Sequence, residues 1–260
     1  MTSLDLKDWL QAKCQTYTYD LRGIFRVAAG TQWPLTAANA SELEARMQEH
    51  LLPLPKEPAA LANVLEVSIV DFLLERVAET NGALTATRGG ERFYPDLEVT
   101  GPGVGGAFYA VDIKVAQRKI LKKRPPTQTQ SRITLYTGNT YFAYPTLHWP
   151  GTFRPFADYA RHLDVLGIYT LNRDSASRVE DLELIVQEPW RIGSHQRSST
   201  TREYIGAVVG LDDLRHGRGE FKTEAEFYKF WRAFNFNIGR SVRNQLNKLL
   251  AQQARPAPKD

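Results

Sequence analysis

The sequence predicts a mixed α/β fold, with a central sheet of roughly five or six strands flanked by helices. Three observations predict it. Two short β-branched and aromatic runs flank the glycine-rich turn Gly101-Pro102-Gly103-Val104-Gly105-Gly106, the pattern of an antiparallel hairpin. Leu61, Leu65, Ile69, Phe72, Leu73 and Val77 recur at helical spacing over residues 59–80, and Asn81-Gly82 supplies the stop. Residues 165–171 and 182–186 are apolar runs of strand length that join the sheet carrying the hairpin.

The remaining elements follow in chain order. Leu6, Trp9, Leu10 and Lys13 give residues 4–16 the spacing of a short helix. Residues 17–25 alternate, and with the run on to Trp33-Pro34-Leu35 they suggest a small second hairpin. A helix over 40–52 is closed by Pro53, Pro55 and Pro58. Residues 133–144 have strand character around a Gly138-Asn139 turn. Residues 191–204 are polar and unpatterned, a loop by composition, before the buried-looking run 205–209. Thr223-x-x-Glu226 is a capping box that opens the helix through Trp231. A last helix over 239–252 carries Arg240, Arg243 and Asn244 on its first turns. The expected organisation is a single domain over 1–252 with a frayed tail over 253–260.

Composition limits the function classes. At 260 residues, 42% apolar and 24% charged, the chain is an ordinary globular protein able to bury a substantial core. A net charge of +4 tolerates a nucleic-acid partner without demanding one. No run approaches ~20 apolar residues, and no signal-peptide core opens the chain. The single cysteine, Cys14, excludes an intramolecular disulfide and a cysteine-rich zinc site. A cytoplasmic protein without a membrane segment is the expectation. Gly101, Gly103 and Gly106 formally fit a dinucleotide fingerprint, but a strand follows them, so no nucleotide cofactor is expected.

The chemistry-bearing residues lie in the first hairpin. Asp96 opens its first strand. Asp112 and Lys114 lie near the end of the second, two residues apart and so on one face. The start of one strand lies beside the end of the next, so the three side chains can converge. Two carboxylates repel each other unless a hard divalent cation joins them, and a lysine beside them neutralises charge and holds or activates a water. That set suits hydrolysis of a phosphodiester. The flanking Val111 and Ile113 mark a core strand rather than a solvated one. Glu66, at the edge of the helical stripe, reads from spacing alone as an edge acid or as a third ligand. The run Arg118-Lys119-Ile120-Leu121-Lys122-Lys123-Arg124 reads as a solvated loop or as a set of phosphate contacts.

The combination resembles the type II restriction endonucleases of the PD-(D/E)XK superfamily, and among them the EcoRV type. Tyr94-Pro95-Asp96 followed by Ala110-Val111-Asp112-Ile113-Lys114 matches the family's catalytic pattern. Tyr19-Asp20-Leu21-Arg22-Gly23-Ile24 with Pro34-Leu35 looks like its small dimerisation subdomain, here 17–36. Leu65-Glu66-Val67 falls where the family carries a third acid. Residues 190–205 span its DNA-recognition loop, and Gly217-x-Gly219-x-Phe221 through Trp231-Arg232 matches its C-terminal region.

The resemblance implies a homodimer that cuts double-stranded DNA at a short palindrome with Mg²⁺, leaving 5′-phosphate and blunt ends. It implies Asp96, Asp112, Glu66 and the Ile113 carbonyl around the metal, with Lys114 at the attacking water. It implies DNA contacts from the loop residues Arg197, Ser198, Ser199, Thr200, Thr201 and Arg202; Arg118 and Lys119 of the basic run, and Arg240 and Arg243 of the last helix, are expected to add DNA contacts. The loop departs from the family, which carries a Gly- and Asn-containing run there. Arg202 favours an acceptor pair such as a guanine edge, so a different target is expected. Residues 87–92, which approach the minor groove in this family, differ too. A repair or junction-resolving nuclease of the same superfamily and a silent DNA-binding module are the alternatives.

Overall fold

A computed structural model of the chain describes residues 4–19, 39, 41, 58–90, 92–120, 124–175 and 178–254. Residues 20–36 of the expected small hairpin at 17–36 and most of the helix at 40–52 lie outside the described residues, as does the tail from 255 onward.

Helix α1 (Leu6–Cys14) starts where the Asp5 carboxylate accepts hydrogen bonds from the Lys7 and Asp8 amides, and it buries Leu6, Leu10 and Cys14. Helix α2 (Pro58–Ala78) runs for 21 residues, with Leu61, Leu65, Ile69, Val70, Leu73 and Val77 buried along one side. Strands β1 (Thr85–Arg88), β2 (Leu97–Thr100) and β3 (Tyr109–Gln117) follow. The predicted glycine turn joins β2 to β3. At Gly101, φ is +136°, and a Cβ there would lie 2.5 Å from the Ala83 carbonyl oxygen, so only glycine fits.

Strands β5 (Arg161–Leu171) and β6 (Val179–Gln187) complete a five-stranded sheet of order β1-β2-β3-β5-β6. It is antiparallel except where β3 and β5 run side by side in parallel, paired from Tyr109↔Arg161 to Gln117↔Tyr169. Between them the chain leaves the sheet to make β4 (Thr134–Thr137), which pairs with β8 (Tyr204–Ala207) and through it β7 (Gly193–Arg197) in a second, three-stranded sheet.

The two faces of the main sheet bury different things. Val111, Ile113, Leu163 and Val165 pack with Leu6, Leu10, Ile69 and Leu73 from the two N-terminal helices. Ala110, Ala116, Leu166 and Ile168 pack on the opposite side. That side is rich in rings, with Tyr94, Tyr136, Phe142, Phe156, Phe227 and Trp231 all buried. Alternation along a strand therefore puts Asp112 and Lys114 on the aromatic side, towards the second sheet.

Helix α3 (Pro189–Ile192) precedes β7. Helices α4 (Leu211–His216), α5 (Glu224–Ala233) and α6 (Arg240–Gln253) follow β8. The capping box is half as predicted. Thr223 Oγ1 accepts from the Glu226 amide, but the Glu226 carboxylate accepts from Lys222 N–H, one residue earlier than a reciprocal box requires. No helix among the described residues is long and apolar enough to cross a membrane.

Two sequence expectations are corrected. The turn at Gly138-Asn139 does not close a hairpin. β4 ends at Thr137 and residues 138–142 form a wide helical turn that delivers Phe142 to the core. A Cβ on Gly138 would lie 2.1 Å from the Phe236 ring, so close packing and not a strand reversal is what the glycine serves. Residues 193–197 are a strand and not loop. Their polar side chains find partners instead of water. Ser194 is fully buried, its hydroxyl accepts from Arg132 at 3.0 Å, and its carbonyl accepts from Trp231 Nε1 at 3.1 Å. The Glu220 carboxylate accepts from the His195 amide and ring.

Candidate active site

Asp96 immediately precedes β2, after a cis Tyr94–Pro95 bond. Its Oδ2 accepts from the Ile113 amide at 2.7 Å, while its own amide donates to Asp112 Oδ1 at 3.2 Å. Asp112 is 4% exposed, and the Lys114 ammonium pairs with its other oxygen, Oδ2. The three predicted charges thus meet at one end of the β2–β3 pair. Glu66 faces the same cleft from α2, with its carboxylate accepting a hydrogen bond from the Val115 backbone.

The cleft encloses about 400 Å³. Beside these four residues it is lined by Arg92, Phe93 and Tyr94 on one lip and by β4 residues 134–137, Tyr141 and Tyr204 of the second sheet on the other.

The electrostatics are those of crowded acids. Burial first, and then the Asp112 charge, pushes the Asp96 carboxyl up to about 8. Burial also raises Glu66, partly offset by Lys114. Burial opposes charge on Lys114, yet Asp112, Asp164 and Asp96 together outweigh it and hold the ammonium well above its ordinary value. In this state Lys114 is a firm cation and hydrogen-bond donor, and it is not free to take a proton.

Among the described residues no group of three or more His, Cys, Asp or Glu side chains is set to hold a metal ion as it stands. In this state the Lys114 ammonium sits on Asp112. The donor set itself fits a hard cation. Two carboxylates, the Ile113 carbonyl and Glu66 offer oxygen alone, and the raised Asp96 carboxyl shows that burial, and then the Asp112 charge, make a further negative charge costly there without a cation.

The sequence matches the description "Restriction endonuclease EcoRV" over residues 32–252. The chain belongs to the EcoRV restriction endonuclease family. It is also similar to the type II restriction enzyme EcoRV of Escherichia coli, 21% identical over 210 residues, covering 75% of this chain and 81% of that protein. The chain is therefore a type II site-specific deoxyribonuclease with DNA as its substrate, and the five-stranded mixed sheet flanked by helices is the fold expected of it.

In this EcoRV-family chain the expected DNA-contact residues separate into groups. Residues 198–203 form the tip of the β7–β8 hairpin. Arg197 donates to both Glu203 oxygens and to the Thr200 carbonyl, bracing the tip from inside. Ser198 pairs with Thr134 of β4 at 2.6 Å. Ser199 Oγ accepts from the Thr201 and Arg202 amides, so the turn is preformed. Thr200, Thr201 and Arg202 are exposed.

Arg118 is a correction. It is 7% exposed, and its guanidinium donates to Glu183 and to the Asp181 carbonyl, tying the end of β3 to β6. A cation so enclosed cannot reach a phosphate, and its place next to Lys114 in sequence was misleading. Lys119 is exposed at the head of the basic run, whose residues 121–123 lie outside the described set. Arg240 and Arg243 are exposed on the first turn of α6 and are not among the residues that line the cleft.

Two residues were missed. His162, on β5, accepts at Nδ1 from the Tyr94 hydroxyl at 2.6 Å and donates from Nε2 to the Phe156 carbonyl at 3.2 Å. Burial drives it down to about 3, so it stays neutral and anchors the residue next to Pro95. Asp164 lies opposite Asp112 in the β3–β5 register and is 1% exposed. An acid inside an apolar run was the available signal.

Proposed function

We propose that this enzyme is a homodimer that cuts double-stranded DNA at a short palindrome in an Mg²⁺-dependent reaction, leaving 5′-phosphate and blunt ends. The observation that carries the reading is the meeting of Asp96, Asp112 and Lys114 at one end of a buried strand pair, with Glu66 beside them. Asp96, Asp112, the Ile113 carbonyl and Glu66 would hold the ion. When bound, Mg²⁺ supplies Lewis-acid polarisation of the phosphate and a more acidic water.

The chain's own residues do the rest. The Ile113 and Asp96 amides fix the two carboxylates before any ion arrives, so little reorganisation is left for the reaction. Lys114, a cation in the free protein, donates to the attacking water and stabilises the negative charge that builds on the phosphorus oxygens. The exposed tip residues Thr200, Thr201 and Arg202, with the half-buried Ser199, present donors and acceptors to base edges, and Ser198 and Arg197 hold that tip in shape. A two-fold dimer, assembled through the segment 17–36, would present one centre to each strand, so the target would share the protein's symmetry. The enzyme would act in the cytoplasm.

Digestion of a sequenced plasmid tests the reading. Discrete bands that need Mg²⁺, flush ends on sequencing, and a two-fold target around each cut are the expected result. A smear, or cutting confined to branched DNA, would assign the chain to another activity of the superfamily.

A further inference from the structure

Asp164 has no role in the reading above, and its situation is unusual. It sits on β5 directly across from Asp112, with Gln187 of β6 across from it on the other side. Side chains at paired positions of neighbouring strands share a face, so Asp164 belongs to the aromatic side together with Asp112 and Lys114. Gln187 gives it nothing, because its amide donates to the Leu214 and Arg215 carbonyls. The Asp164 Oδ2 atom is fully buried and, among the described residues, has no hydrogen-bond partner. A carboxylate in that position is costly unless a cation is near. The positive charge that reaches it is Lys114, whose ammonium is paired with Asp112. Burial raises the Asp164 carboxyl, and the Lys114 charge opposes that rise.

In the free protein Lys114 occupies a carboxylate that a divalent ion would need. Once an ion takes Asp112, the ammonium loses that anchor and faces a second positive charge. We propose that Asp164 is a positioning residue for Lys114: its buried carboxylate, one strand over from Asp112, is the second anchor to which the ammonium turns when a divalent cation takes the first. The exchange frees Asp112 for the ion and keeps the ammonium within the cleft. The inference rests on the proposed metal-dependent reading, and its test does not need DNA.

Mn²⁺ binding to the DNA-free protein, followed as free ion by electron paramagnetic resonance, reads the exchange directly in a double-mutant cycle. Asp164→Asn leaves Lys114 nowhere else to go, so it should weaken Mn²⁺ binding about tenfold, the scale of a lost group behind a metal ligand. In the Lys114→Ala background the same substitution should change affinity little, because the competitor is gone. Asp164→Leu removes the carboxylate without leaving a buried amide, and should repeat the pattern if the asparagine variant folds poorly. Equal losses in both backgrounds would make Asp164 a direct partner of the ion and overturn the inference. So would no loss in either background, or no Mn²⁺ binding by the wild type. In cleavage assays Asp164→Asn should lower kcat with KM for DNA unchanged. Wild-type protein that binds Mn²⁺ and gives the expected cycle but leaves plasmid intact would refute the nuclease chemistry and spare the anchor.

Discussion

Asp96 and Asp112 are fastened to each other's strands by a reciprocal pair of hydrogen bonds, from the Asp96 amide to Asp112 Oδ1 at 3.2 Å and from the Ile113 amide to Asp96 Oδ2 at 2.7 Å. Backbone donors thereby hold the two acidic groups together before any metal ion arrives. Asp96→Ala and Lys114→Ala should each cut the cleavage rate at least about 10²–10³-fold. DNA affinity, measured by gel shift without divalent ions, should remain within a fewfold of wild type. Cleavage by either variant at a near-normal rate would refute the assignment.

The same crowding gives a pH dependence in the metal-free protein. With its carboxyl raised to about 8, folded Asp96 keeps a proton that the unfolded chain releases in the ordinary carboxylate range. Between those limits the folded state binds more protons, so stability falls as pH rises towards about 8 and levels off above it. Asp164 and Glu66, both raised by burial, act in the same sense. Melting in a chelator should show Tm declining across this window, and Asp96→Asn should flatten the decline and be the more stable protein at its alkaline end.

Arg118 and Arg202 should behave oppositely. Arg118→Met removes a buried guanidinium from Glu183, which keeps Arg215 at 2.8 Å. The expected cost is about 1–3 kcal/mol of folding stability, with no change in the salt slope of DNA binding. Arg202→Ala should leave Tm alone. In a competition assay between targets differing by single base pairs it should erase about 1–3 kcal/mol of discrimination at one position of each half-site.

Tyr94→Phe deletes the hydroxyl that donates to His162 and leaves a ring nitrogen buried without a partner. The loss should be about 1–3 kcal/mol by chemical denaturation. Because the residue lies two before Asp96, kcat should fall as well. His162→Gln should not restore it if the ring's stacking on Phe156, with centroids 3.8 Å apart, is what holds Tyr94 in place.

The first hairpin, the long helix and the Asp96–Asp112–Lys114 cluster could be read directly from the chain, because each depends on patterns within a few tens of residues. The second sheet could be read only in part. β4 lies in a run with strand character and β8 overlaps a run that looks buried, but β7 is short and polar and is held through pairs far apart in sequence, Arg132 with Ser194 and Ser194 with Trp231. Local composition therefore described residues 193–197 as loop. Asp164 was hidden for a related reason. Nothing near it in the chain predicts that strand pairing will set it against Asp112. Arg118 failed in the other direction, since a basic run looks solvated until a distant Glu183 is found beneath it.

The side-by-side register of β3 and β5 also limits how relatives of this enzyme can diverge in length. Adding or deleting one residue inside β3 upstream of Asp112 would swing the acid and the lysine through half a turn, into the aliphatic layer against Ile69 and Leu73. A change of two would keep the face but set the lysine against a different neighbour on β5. Natural insertions should therefore gather in the excursion between the two strands, and members of any length should keep the acid and the lysine of β3 two residues apart.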